Sequence, residues 1–536
     1  MAESPRSSPR SWQAACTFCG AQVTFQSPIS PMAVCGFCRS TLVRDGDMLR
    51  RTGLSGVLFD DHSPLKLGTQ GRWQGEGFAL IGRIQLSYRD PDGREGRWTE
   101  WQLVFDNGRT GALSEDNGGY ALSFPFELDA KQLDGIPDTL VGTDRYIGGQ
   151  RWTLSNKVQV SVHALEGEVL HARHLKEPFA VTEWRNPDGE VLSIEQSPQG
   201  RRAELGRSIR LDDLRLSGSF DAGSSAEAKV KAQAIECPSC GASVTPRLDQ
   251  SKTIVCASCH SVIDISRGLG ADLSHYRQGN ALDPLIPMGR VGNLWVGDKS
   301  GKWQVVGYQE RCEMADASGE AQTFWREYLL YHRTRGFAFL VDTEEGWSVV
   351  APITGAPSVK ANGVKWQERD YALKYIYRAT TTHVLGEFYW PVQRDQVTRN
   401  ADYACRADGK TLLLNRESTG AEVVWSAGEA IDHSQVMKAF NLTDQPVAAF
   451  RRDVKPTGGG EFWGLPTWAW LVIMFVLVVI LLARCSDDCD DVGERYGEQS
   501  AEYRQCKSSS SSGRSSNWSG SHGSSHGGYS SGGSHK

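Results

Sequence analysis

The chain has 536 residues, with 58 Lys and Arg against 64 Asp and Glu and a formal net charge of −6. Spread over that length the balance is near neutral, and no half is strongly basic. This argues against nucleic-acid binding, whose affinity comes largely from neutralising phosphates.

In chain order, the first informative feature is a cysteine pattern. Cys16, Cys19, Cys35 and Cys38 read C-x2-C-x15-C-x2-C, and Cys237, Cys240, Cys256 and Cys259 repeat that spacing 221 positions later. Two thiolates two residues apart form half of a tetrahedral Zn2+ site, and a second pair completes it. Residues 1–50 and 235–268 are therefore read as two zinc ribbons, each with one structural Zn2+. Four cysteine ligands leave no open position for water or substrate. The metal is expected to supply on the order of 10 kcal/mol of folding free energy to segments with almost no core of their own.

A β domain follows each ribbon, over 55–215 and 280–445. Pro64-Leu65 recurs as Pro284-Leu285, Gly167-Glu168 as Gly386-Glu387, and Asp188-Gly189 as Asp408-Gly409, so the whole ribbon-plus-domain unit is duplicated. A period of two runs through Leu80, Gly82, Ile84, Leu86 and Tyr88, through Trp101, Leu103 and Phe105, through Val158, Val160 and Val162, and through Tyr371, Leu373, Tyr375 and Tyr377. That period predicts half-buried strands. Asp106-Asn107-Gly108 and Asp188-Gly189 predict hairpin turns, because Asn and Gly tolerate positive φ. Only short stretches such as His433 to Leu442 read as helix. The expected fold class is mainly β: antiparallel small barrels or two-layer sandwiches. Gly-, Ser- and Pro-containing linkers are expected over 216–234 and 446–464.

Residues 465–483 carry no charge and are long enough to cross a bilayer as one helix, with Trp463, Trp468 and Trp470 at its start. Met1 to Trp12 has no apolar core, so export of the N-terminal bulk is not expected. Basic residues flank the run as Arg451, Arg452 and Lys455 on one side and Arg484 and Arg495 on the other. With eight thiolates best kept in a reducing compartment, this places the N-terminal bulk in the cytoplasm and the tail outside. The segment 484–536 is acidic at Asp487, Asp488, Asp490 and Asp491, holds Cys485, Cys489 and Cys506, and ends in a Ser- and Gly-rich run expected to stay disordered. His522, His526 and His535 in that tail read as incidental.

The remaining candidate chemistry is sparse. Cys256 to His260 spells a c-type haem attachment motif, but Cys237 and Cys240 complete a ribbon instead, and the first copy has Arg39 in place of His260. Glu168 with His163, or Glu387 with His383, could form a proton-transfer pair. The plainer reading is a strand end with Gly at a bend and Glu pairing on the surface. His171 and His174 form a further pair that the second copy lacks. Cys312 and Cys405 read as small apolar packing residues. No phosphate loop, nucleophile elbow, H-E-x-x-H or dinucleotide fingerprint occurs.

The knuckles CTFCG and CGFCR, CPSCG and CASCH, the two Gly-Glu steps, and the segment CDDVGERYGEQSAEYRQC leading to SSGGSHK resemble a bacterial family built around the domain of unknown function numbered 4178. The resemblance implies no established activity. It implies company with small membrane proteins, polyamine-synthase-like enzymes and envelope-stress proteins of the phage-shock type, hence an accessory at the inner face of the bacterial inner membrane. The sequence is thus read as a non-enzymatic adaptor that docks other proteins there and reaches the lipid bilayer through one helix, with nucleic acid disfavoured. The alternative is a tethered β domain that binds a small ligand or catalyses a reaction, using Glu168 or Glu387.

Overall fold

The structure, a computed structural model, describes residues 12–450 apart from 28, 46–47, 56–57, 59–62, 91–94, 117–118, 130–131, 133–134, 137, 172–176, 199, 219–233, 249–250, 266–274, 277, 279–283, 315–322, 334, 393–395 and 443–445. The span expected over 465–483, the tail with Cys485, Cys489 and Cys506, and His174 lie outside the described residues. Among the described residues no helix is long and apolar enough to cross a membrane.

Each β domain is a closed antiparallel barrel of eight strands, which settles the choice left open between barrel and sandwich. The first uses β1 (Glu76–Arg89), β2 (Glu95–Phe105), β3 (Thr110–Asp116), β4 (Gly119–Phe126), β5 (Gln150–Val169), β6 (Phe179–Arg185), β7 (Glu190–Ser197) and β8 (Gly200–Ile209). Round the wall the order is β1, β2, β3, β4, β8, β7, β6, β5, and β5 pairs back onto β1. The second repeats this with β9 (Lys299–Glu313), β10 (Phe324–His332), β11 (Gly336–Thr343), β12 (Gly346–Ile353), β13 (Arg369–Phe388), β14 (Val397–Ala407), β15 (Lys410–Ser418) and β16 (Val423–Ile431). Its order is β9, β10, β11, β12, β16, β15, β14, β13, closing from β13 to β9. Closure leaves the barrel wall no free edge, and an eight-stranded barrel is narrow enough for side chains to fill.

The period-two runs are real strands, but two of them change sides. Leu80 packs with Trp101, Leu103 and Phe105 in one core, whereas Ile84, Leu86 and Tyr88 belong to another. A bulge between Leu80 and Gly82 inserts one residue and flips the facing. A bulge between Leu373 and Tyr375 does the same on β13 and leaves Leu373 40% exposed between buried Tyr371 and Tyr377. The hairpin turns form as expected: Gly108 and Gly189 both take positive φ. The outer cover fixes the true offset of the copies. Gly68 N–H donates to Leu80 O and Gly289 N–H to Val305 O, so the counterpart of Leu65 is Ile286, one residue past the Pro-Leu match.

Helix α1 (His433–Phe440) is capped by Asp432 and by Asn441 in the left-handed region. It lays Val436 and Phe440 on the outside of the second barrel. The linker expected over 446–464 begins instead with a short helix, α2 (Val447–Phe450). Its Phe450 is fully buried against Trp347, whose Nε1 donates to Phe450 O at 3.1 Å. An aromatic ring on that scale is worth more in the core than in water, and it holds the segment down.

Candidate metal centres and the clasp that docks them

Each ribbon is two knuckle turns set side by side. In the first, Gly20 N–H donates to Cys16 O and Arg39 N–H to Cys35 O, both at 2.9 Å. These turns bring Cys16 Sγ within 3.7 Å of Cys38 Sγ and Cys19 Sγ within 3.6 Å of Cys35 Sγ. The second ribbon gives 3.6 Å for Cys237 with Cys259 and 3.7 Å for Cys240 with Cys256. All four sulfurs of each set lie within 4.8 Å of one another. A tetrahedron with metal–sulfur bonds of about 2.3 Å has edges of about 3.8 Å, so the donor set fits a thiophilic ion such as Zn2+. Each four-cysteine group could thus hold a metal ion.

The sulfurs differ in acidity. The Ser40 hydroxyl, 3.2 Å from Cys38 Sγ, is the main cause that lowers this thiol to about 6, and Ser261 does the same for Cys259. Cys19 and Cys240 are pushed up to about 12: a backbone hydrogen bond at Ala21 or Ala242 is the largest single influence and pulls downward, but desolvation and the neighbouring thiols together outweigh it. Four adjacent sulfurs do not all ionise alone, whereas a divalent cation would hold all four as thiolates. The ribbons also have more core than their composition promised. Val23, Phe25, Ala33, Leu42 and Leu49 pack round Cys16 and Cys35.

The ribbons are not beads on a string. Met32–Val34 pairs with the end of β5, Ala33 opposite Glu168, and Thr253–Val255 pairs with the end of β13, Ile254 opposite Glu387. The Gly-Glu steps are therefore the joints. Glu168 lies at a strand end, as expected, but it is 3% exposed rather than on the surface. It accepts from Gln26 N–H at 2.5 Å, Ser27 N–H at 3.1 Å and Ser30 Oγ at 2.7 Å. Glu387, 6% exposed, accepts from Arg247 N–H, Leu248 N–H at 2.9 Å and Ser251 Oγ at 2.6 Å. Desolvation raises both carboxyls above their ordinary range, against the hydrogen bonds that favour the charged form. The donors to these carboxylates come from the ribbons, not from His163 or His383. Desolvation also holds His383 below its usual value.

Glycine makes the joint possible. Gly82 faces Gly167 across the β1–β5 pair, and Gly307 faces Gly386 across β9–β13. Gly167 and Gly386 take φ of +70° and +85°. A Cβ on Gly82 would meet Glu168 O at 1.6 Å, and one on Gly386 would meet Val306 O at 2.3 Å. Only glycine fits a left-handed residue under so close a backbone approach.

Sequence reasoning missed two further groups. Trp98 Nε1 donates to Glu100 at 3.1 Å, and Trp325 Nε1 donates to Glu327 at 2.7 Å. The signal was present as the repeated W-x-E on equivalent strands. The interior of the second barrel is also charged. Arg311 reaches from β9 across the lumen to Glu417 on β15 at 3.3 Å and lies 3.8 Å from Glu327, with Gln309 Nε2 donating to Glu327. Asn415 donates to Asp402 at 2.7 Å nearby. Burial pushes Glu417 up to about 7 despite Arg311. Counting from the paired glycines, the first barrel has Leu86 where the second has Arg311. Between the copies, Lys252 of the second ribbon lies 3.6 Å from Asp116 at the end of β3, and burial pushes Asp116 up to about 7 against that lysine. Cys312 is buried and Cys405 packs beside Tyr371 and Leu414, as small apolar residues do.

A tandem protein is thus defined: two eight-stranded barrels, each carrying a four-cysteine knuckle pair sewn onto one long strand. Residues 66–211 and 298–433, together more than half of the chain, match the domain of unknown function DUF4178, and the chain belongs to that family. No curated protein and no solved structure matches it.

Proposed function

We propose that this is a membrane-anchored, non-enzymatic scaffold that carries two structural Zn2+ ions, one on Cys16, Cys19, Cys35 and Cys38 and one on Cys237, Cys240, Cys256 and Cys259. The observation that carries the reading is the use made of the repeated acidic residues. Glu168 and Glu387 spend their hydrogen bonds on the chain's own ribbons, and each set of four cysteines is complete without water or substrate. Both features serve rigidity, which suits a docking platform. The uncharged run at 465–483 supplies the tether, with the barrels on the cytoplasmic side of a bacterial inner membrane and the tail outside. Two docking units on one tether raise the effective concentration of the second contact once the first is made. In-cell crosslinking of the full chain with mass spectrometry tests this. Recurrent crosslinks from both barrels to other proteins are expected, and crosslinks confined to the chain itself would overturn it.

One observation favours a second reading, a small-ligand-binding barrel. The second copy sets a buried arginine, Arg311, between Glu417 and Glu327 where the first has Leu86. Native mass spectrometry of the chain isolated from cells would reveal a bound small molecule that Arg311→Met loses; its absence from the unsubstituted chain removes this reading.

A further inference from the structure

The two ribbons build the same cage and present different tips. Phe18 and Phe37 stand next to the second cysteine of each first-ribbon knuckle; Ser239 and Ser258 stand there in the second. Phe18 is 60% and Phe37 83% exposed, the latter being the most exposed large apolar residue of the described chain. The sulfur spacings of the two cages agree within 0.1 Å at 3.6 and 3.7 Å, and Arg39 and His260 share a φ of 57°. The second ribbon therefore shows that neither the fold nor the cage needs phenylalanine at these places. The exposed rings serve something outside the ribbon.

We infer that the first ribbon dips its two phenylalanine tips into an anionic bilayer surface. Three observations favour lipid over a protein groove. The rings sit on two convex knuckle turns held side by side by the sulfurs, a shape that inserts rather than receives. Arg39, one residue past the second knuckle, and Arg51 are exposed, and the Arg51 guanidinium lies 4.1 Å from the centre of the Phe18 ring. The exposed Asp45 is at the other end of the hairpin, where it pairs with Met48, whereas Ser40 beside the knuckle pairs with Leu54. Basic residues at the headgroups with apolar rings below them match the two attractions of an interfacial contact. The inference rests on the tether proposed above, which would hold this ribbon near the lipid.

The test uses the full chain in nanodiscs of neutral or anionic phospholipid, with Phe37→p-benzoylphenylalanine and, separately, Ser258→p-benzoylphenylalanine. Zinc content verifies folding of each. On irradiation, lipid adducts at position 37 are expected at least tenfold above position 258, and at least fivefold higher in anionic than in neutral discs, the factor that about 1 kcal/mol per basic residue gives. Equal yields at the two positions, or adducts at 37 to protein alone, overturn the inference. The unsubstituted chain provides a second reading: hydrogen exchange at 16–20 and 35–39 slows in anionic discs, and no slowing there also overturns it. Alkaline extraction separates the two ideas. Chain that is extracted from membranes but still labels lipid through position 37 refutes the tether and keeps the ribbon contact; chain that resists extraction without lipid labelling does the reverse.

Discussion

Removing the Glu168 carboxylate should free the first ribbon from its barrel. In Glu168→Ala two backbone N–H groups and the Ser30 hydroxyl lose their acceptor at a site only 3% exposed. Each buried donor left unpaired costs about 1–3 kcal/mol, so the loss is about 3–6 kcal/mol after some water enters. The isosteric amide discriminates further. Donors to Glu168 are split between Oε1 and Oε2, so Glu168→Gln must set its NH2 against at least one N–H, at about 1–3 kcal/mol. On Glu387, Leu248 and Ser251 both donate to Oε2, and Arg247 N–H lies 2.9 Å from Oε1 and 3.0 Å from Oε2, so an amide keeps an oxygen for every donor although its NH2 faces Arg247 N–H. Glu387→Gln should therefore cost less than Glu168→Gln, where Gln26 N–H loses its one acceptor. The sign of its pH effect follows from the raised carboxyl. A folded-state pKa above the unfolded value gives stability that is full below about 4.3 and falls as pH rises through the folded value. Glu387→Gln should remove that fall. Hydrogen exchange read on the strands Gln22–Phe25 and Ser243–Val244 of the full chain measures each joint separately. Glu168→Ala is expected to cut protection of the first by about 100-fold or more. Unchanged protection, or a Glu387→Gln defect larger than that of Glu168→Gln, would refute the account of the joint.

Zinc should bind at two ions per chain, and Cys16→Ser or Cys237→Ser should each remove one; metal analysis showing none, or both lost together, contradicts the paired cages. Gly167→Ala, with φ +70° and Ile81 O at 2.4 Å from the new methyl, should cost about 3 kcal/mol, against about 1 kcal/mol at Gly189, which has positive φ but open space. Equal melting temperatures for the two variants would dispose of the close-approach argument. Arg311→Met should cost about 3–5 kcal/mol by stranding buried Glu417 and Glu327, and adding Glu417→Gln should recover part of it in denaturant titrations. Asp116, raised to about 7, weakens the fold as pH rises through that value; Lys252→Met removes the charge that restrains the rise, so the midpoint in a pH series of melting temperatures should move upward, and a downward move would be inconsistent with the ion pair.

What could be read from the chain depended on how local the physics was. The cysteine cages were legible because a C-x2-C turn fixes two ligands through bonds spanning four residues. The strands and hairpin turns were legible for the same reason, since Gly108 and Gly189 need positive φ whatever lies around them. Barrel closure was not, because it depends on β5 meeting β1 and β13 meeting β9 across long connections, and no local period encodes that choice. Nor were the side switches at Leu80 and Leu373, since a bulge adds one residue without a distinctive residue type. Glu168 illustrates the limit best. Its repetition was visible, and a buried carboxylate and a surface one look alike in sequence; what decides between them is the arrival of Gln26, Ser27 and Ser30 from more than a hundred residues away. Duplication supplies the missing information once the copies are superposed by their glycine joints. What both copies keep, the cages, the Gly-Glu joint and the W-x-E contact, belongs to the fold. What only one keeps, Phe18 and Phe37 on the first ribbon and Arg311 in the second barrel, is free of that obligation, and it is at those residues that the two halves have room to do different work.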